Sequence, residues 1–114
     1  MQVAVERPEE MNLLGLFMKA ALEARAKELA RSRPSGAIAM TGGEMSVTLD
    51  FSDEGVTIRK GVAGKPRAHL KGSLEALIQV ARGQNGPILR RQAKVSGNPL
   101  ALLPLAKVFK ETAK

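Results

Sequence analysis

The stretch GAIAMTGGEMSVTLDFSDEGVTIRK, residues 36–60, decides the fold. Met45, Val47, Leu49 and Phe51 alternate with Ser46, Thr48 and Asp50, so an extended chain has one apolar face and one polar face. Gly42-Gly43 is a two-residue hairpin signal ahead of this run, and Ser52-Asp53-Glu54-Gly55 is a turn behind it. Residues 37–41, 45–51 and 56–59 therefore read as three strands of a meander.

Upstream, residues 1–7 read as an extended lead-in. Pro8 suits the first turn of a helix, and Glu9 and Glu10 suit the positive end of its dipole. Met11, Leu14, Phe17, Met18, Ala21, Leu22 and Leu29 recur at helical spacing with one gap around Arg25. The pattern predicts an amphipathic helix of about six turns to roughly residue 31. Pro34-Ser35-Gly36 then breaks it.

Downstream, residues 61–66 (GVAGKP) read as a loop, and Ala68 and Leu70 as a fourth short strand or an extended arm. Ser73 is a good N-cap for a helix carrying Leu74, Leu77, Ile78 and Ala81, with Gly83 as its stop. Residues 88–96 give the last strand, and Asn98-Pro99 opens a final helix. Within that helix Pro104 either kinks the chain beside the sheet or bends it to follow the surface. Leu100, Leu102, Leu103, Leu105, Ala106, Val108 and Phe109 fall within ten positions, so the segment needs apolar cover on nearly every side. The expected class is α+β: a five-stranded, largely antiparallel sheet with helices covering one face, as a single domain over 1–114.

Composition narrows the function. The 114 residues suit one domain with a modest core. No apolar run approaches the ~18–20 residues of a membrane span, and the acidic N-terminus is unlike a signal peptide. A cytoplasmic protein is expected. Cysteine is absent and His69 is the single histidine, which removes thiolate chemistry and leaves few routes to a metal centre. His69 alternates with Ala68 and Leu70, so it should face solvent or a satisfied surface niche.

At this point the leucine-bearing helix of residues 72–83, the strand and turn Ala93-Lys94-Val95-Ser96-Gly97-Asn98, and the apolar helix after it are informative. Together they resemble the sterol carrier protein 2 (SCP2) sterol-binding domain family. The likeness runs from the Gly36 strand to the C-terminal helix. It implies a five-stranded sheet with helices over one face and a lipid tunnel between them, walled in part by residues 98–110. Arg67 stands where many relatives carry an acidic residue, and the chain ends Glu111-Thr112-Ala113-Lys114 without the peroxisomal tripeptide of animal members. Both departures bear on eukaryotic sterol traffic more than on lipid binding.

The expected ligand is a hydrophobic small molecule, a lipid or fatty acid, held by Leu14, Phe17, Met18, Met40, Phe51, Leu102, Leu103, Ala106 and Phe109. Met11, Met18, Met40 and Met45 could line a cavity for varied shapes or simply fill gaps in a core short of aromatics. Gln79, Gln92, Ser96 and Asn98 are candidates for the polar mouth of such a pocket.

The net charge of +7 gives three basic clusters: Arg25, Lys27, Arg31 and Arg33; then Arg59, Lys60, Lys65, Arg67 and Lys71; then Arg82, Arg90, Arg91 and Lys94. They suit an anionic membrane surface or an ordinary solvated face equally. Nucleic acid is disfavoured, because Trp and Tyr are absent and Phe17, Phe51 and Phe109 lie on apolar faces.

No cofactor motif or catalytic constellation is visible. Asp50, Asp53 and Glu54 lie at a turn, and Gly42-Gly43 lacks the Lys-Ser/Thr and the helix of a phosphate loop. The expected function is non-enzymatic lipid binding and transfer. The alternative is an accessory domain whose apolar face packs in a homodimer or against an enzyme that handles lipids or quinones.

Overall fold

The computed structural model describes residues 2–32, 34–62, 64–81 and 93–98. One mixed sheet holds β1 (Gln2–Val5), β2 (Gly36–Gly42), β3 (Met45–Ser52), β4 (Gly55–Lys60), β5 (Ala68–Gly72) and β6 (Ala93–Gly97). Among the described residues three helices accompany it: α1 (Leu13–Ala24), α2 (Ala26–Ser32) and α3 (Leu74–Ala81). The strand order is β1-β4-β3-β2-β5-β6.

The α+β class holds, with two amendments. The sheet has six strands rather than five, because the lead-in forms β1 and pairs parallel to β4. Strand β5 is also parallel to β2, whereas β2–β3, β3–β4 and β5–β6 are antiparallel. A four-residue strand such as QVAV is too short to announce itself by alternation, and its stability comes from a partner more than fifty residues away.

The expected meander is present. Its first turn is displaced by one residue: Gly42 pairs with Met45, so Gly43 and Glu44 make the tight turn. The register aligns Ile38, Leu49 and Ile58 in one row, Met40 with Val47 in the next, and Phe51 with Val56 on the other side. These side chains face the helices and form the core with Leu14, Met18, Leu22, Leu29, Leu70 and Leu77.

The long N-terminal helix is divided into three pieces. Pro8–Glu10 forms only a 3-10 turn, and α1 begins after Asn12, whose Oδ1 accepts from Gly15 N at 2.9 Å. At Arg25 the backbone leaves helical geometry, and α2 starts one residue later. The gap in apolar spacing at Arg25 coincides with this break. Helices α1 and α2 make the crossover from β1 to β2, with α1 resting on β1, β3 and β4. Ser73 caps α3 as expected, its Oγ accepting from Ala76 N at 3.0 Å, and α3 rests on β2 and β5. Gly83, the start of the last strand at residues 88–92 and the final helix lie outside the described residues.

Strands β4 and β5 are parallel but separated by β3 and β2, so the chain must return along the sheet between Lys60 and Ala68. This connection is tied at one end to the sheet face away from the described helices and at the other to the backbone of β2. Thr48 Oγ1 donates to Gly61 O at 2.8 Å, and Arg67 N donates to Ala37 O at 2.8 Å. Thr48 and its register partner Ala39 are accordingly buried, although no described helix covers them.

Candidate functional site

An apolar layer lies between the sheet and its helices, and two glycines set its thickness. A Cβ on Gly15 of α1 would run into the Met11 side chain and come 3.3 Å from Val47 Cγ1. A Cβ on Gly42 at the end of β2 would lie 3.1 Å from both Leu74 Cα and Leu77 Cδ1 of α3. Both helices therefore approach the sheet more closely than a larger residue would permit. The Met11 thioether fills the space that Gly15 leaves, a role suited to an unbranched, adaptable side chain.

Of the nine residues expected to hold a ligand, Leu14, Met18, Met40 and Phe51 come together in this layer, each less than 5% exposed. Phe17 is half-buried and packs against the same cluster. Leu102, Leu103, Ala106 and Phe109 lie outside the described residues. Sequence reasoning did not single out Val47, Leu49 and Leu77 for this site. Their alternation and helical spacing mark them as core, but nothing local says which core residues meet one another.

The polar candidates divide. Gln79 is half-buried on α3, Ser96 and Asn98 are exposed, and Gln92 lies outside the described residues. Asn98 N donates to Arg67 O at 2.8 Å, which ties the end of β6 to the start of β5. Val95 faces the helix side, in register with Leu70 and Met40, yet is 37% exposed.

Surface grooves lie among the described residues. One, of 370 Å³, is lined by Gln2, Val3, Ala4, Glu23 and Ala26. Another, of 190 Å³, is lined by the charged residues Glu6, Arg7, Glu10 and Lys60. Neither includes a residue expected to hold the ligand.

The face away from the described helices carries a different chemistry. Thr41 Oγ1 lies 2.7 Å from His69 Nε2 and 2.9 Å from Ser46 Oγ, so three strands share one polar contact. His69 therefore occupies the satisfied niche that its alternation suggested. Among the described residues no three His, Cys, Asp or Glu side chains group as metal ligands, and no helix is long and apolar enough to cross a membrane.

Residues 12–110 match the model of the SCP-2 sterol transfer family. The chain belongs to that family. The SCP2 architecture extends to solved structures, whose likeness here is one of fold. A ubiquinone synthesis protein, UbiJ-SCP2, superposes with a TM-score of 0.70 at 18% identity, covering 90% of this chain and 96% of its own. The sterol carrier protein domain 2 of Helicoverpa armigera gives 0.64 at 14% identity, covering 96% and 94%. A palmitated SCP2L2 from Aedes aegypti gives 0.57 at 14% identity, covering 78% and 91%. No curated protein sequence matches the chain.

Proposed function

We propose that this SCP2 domain binds a hydrophobic lipid non-covalently between its sheet and its helices, and transfers or presents it without catalysing a reaction. Family membership over residues 12–110 carries the reading. The apolar layer supports it: Leu14, Met18, Met40 and Phe51 form one cluster. Leu102, Leu103, Ala106 and Phe109 complete the proposed lining. Each methylene moved out of water contributes ~0.8 kcal/mol, so a long acyl or isoprenoid chain needs only an apolar slot. The palmitate of the Aedes aegypti neighbour fits an acyl ligand, and the ubiquinone synthesis neighbour fits an isoprenoid one. A cytoplasmic location fits either.

Native mass spectrometry of freshly purified protein tests the proposal, with a co-purified lipid as the expected result. In parallel, Leu103→Lys should abolish uptake of a fluorescent fatty acid while circular dichroism stays that of a folded protein. Uptake unaffected by that substitution would remove the final helix from the site.

A second reading rests on α1. Leu13 is 63% exposed and Leu16 is 44% exposed, on the side of the helix away from the sheet. Such a stripe suits a homodimer seam, or contact with an enzyme that handles lipids or quinones. Sedimentation at several concentrations separates the two readings, since a seam predicts self-association that Leu13→Glu abolishes.

A further inference from the structure

The face of the sheet away from the described helices is electrically lopsided. At the β1/β4 side, Arg59 Nη1 is 2.5 Å from Glu6 Oε2 and its Nη2 is 3.4 Å from Asp50 Oδ2, so charges there offset one another. At the β5/β6 side, Lys71 and Lys94 are register partners on adjacent antiparallel strands, and both are exposed. Like charges placed directly opposite in a sheet repel. Among the described residues neither lysine has a carboxylate partner, and Glu44 in the β2–β3 turn and Glu75 at the start of α3 form no ion pair with them. Their neighbours on this face are the hydroxyls of Thr41, Ser46 and Ser96 and the imidazole of His69, with no acid among them.

We propose that this corner of the sheet docks on the anionic headgroups of a phospholipid bilayer, with Lys71 and Lys94 as its principal contacts. The charge is complementary and uncompensated, and the two lysines stand side by side on a pleated surface rather than in a pocket. Among the described residues the face offers no Phe side chain on which a base could stack, since Phe51 points the other way into the core, and the one ring there, the half-buried imidazole of His69, is held by Thr41 Oγ1 at 2.7 Å. That favours a bilayer over nucleic acid. Val95, adjacent to Lys94 in β6, is the exposed apolar residue on the helix side. The choice of a bilayer rests on the lipid-carrier reading; the charge geometry does not.

Co-sedimentation of the full chain with vesicles tests the proposal, using phosphatidylcholine alone and phosphatidylcholine mixed with phosphatidylglycerol. The wild type should bind the mixed vesicles and leave the neutral ones. Lys71→Ala with Lys94→Ala should weaken binding about thirtyfold, the effect of two lysines each contributing ~1 kcal/mol beside an anionic leaflet. Lys19→Ala, which removes an exposed lysine paired with Glu23 on α1, should bind like the wild type. Should the double variant melt early, Lys94→Gln on the edge strand carries the test with about a fivefold loss. Absence of wild-type binding, equal losses in the Lys19 and Lys71/Lys94 variants, or tighter binding to a single-stranded oligonucleotide than to the mixed vesicles would overturn the docking site. Fatty-acid uptake from solution is scored separately. A double variant that takes up fatty acid but does not sediment supports docking; a wild type that sediments but takes up none sinks the carrier reading alone.

Discussion

The Nδ2 of Asn12 donates to Ser46 O at 3.1 Å while its Oδ1 accepts from Gly15 N at 2.9 Å. One side chain thus caps α1 and fixes its start to β3. Asn12→Ala should cost ~1 kcal/mol, the usual value of an N-cap, and lower the melting temperature by about 4 °C. Asn12→Asp keeps the cap but sets a carboxylate against the Ser46 carbonyl, which also accepts from Gly61 N. It should melt below wild type. An Asp variant as stable as the wild type would show that the bond to Ser46 contributes nothing.

Gly15 faces the sheet beside Val47. Gly15→Leu would wedge α1 away from β3, at a cost of ~1–3 kcal/mol for an overfilled core. Gly15→Ala should be near neutral. The ~1 kcal/mol gained in helix propensity offsets the shift demanded of the flexible Met11 side chain. Urea denaturation of the two variants checks the contrast.

A Cβ on Gly55 would collide with the backbone of Gln2. Gly55→Ala should therefore loosen β1 from β4 while leaving the β2–β3–β4 meander intact. Amide hydrogen exchange is the readout, with faster exchange expected in residues 2–5 and unchanged protection in residues 45–51.

Phe51 is buried against the core, and Phe51→Ala should cost ~3–5 kcal/mol as a large-to-small change. If a fatty acid binds in the same layer, ligand at about a hundredfold over Kd restores ~2.7 kcal/mol. Thermal unfolding with and without oleate measures both effects. A wild-type melting temperature that does not respond to any long-chain fatty acid would count against the proposed ligand class.

The strands β2, β3 and β4 were legible because alternation and turn residues are local: Met45 to Phe51 displays its buried face without reference to any partner. The capped helix α3 was legible for the same reason, through Ser73 and the spacing of Leu74 and Leu77. Residues 8–31 were only partly so. Pro8, Glu9 and Glu10 carry a helix-start composition, yet Asn12 provides the working cap, and the Arg25 gap marks a real break. Of the proposed site, Leu14, Met18, Met40 and Phe51 were recognisable as apolar face residues. That they share one cluster depended on the pairing of β2 with β3 and on α1 lying across both β3 and β4.

The sequence by itself determined the α+β class, the central meander, the cap of α3 and the family, since each is written in short-range spacing or in the order of elements. Tertiary structure alone decided that residues 2–5 become an edge strand and that β5 runs parallel to β2. It also decided that Thr41 meets His69 and that Lys71 stands opposite Lys94. A period of two tells which side of a strand is buried, but not which strand lies alongside. That choice is made by contacts between segments distant in the chain, whose free energy appears only once the whole sheet has formed.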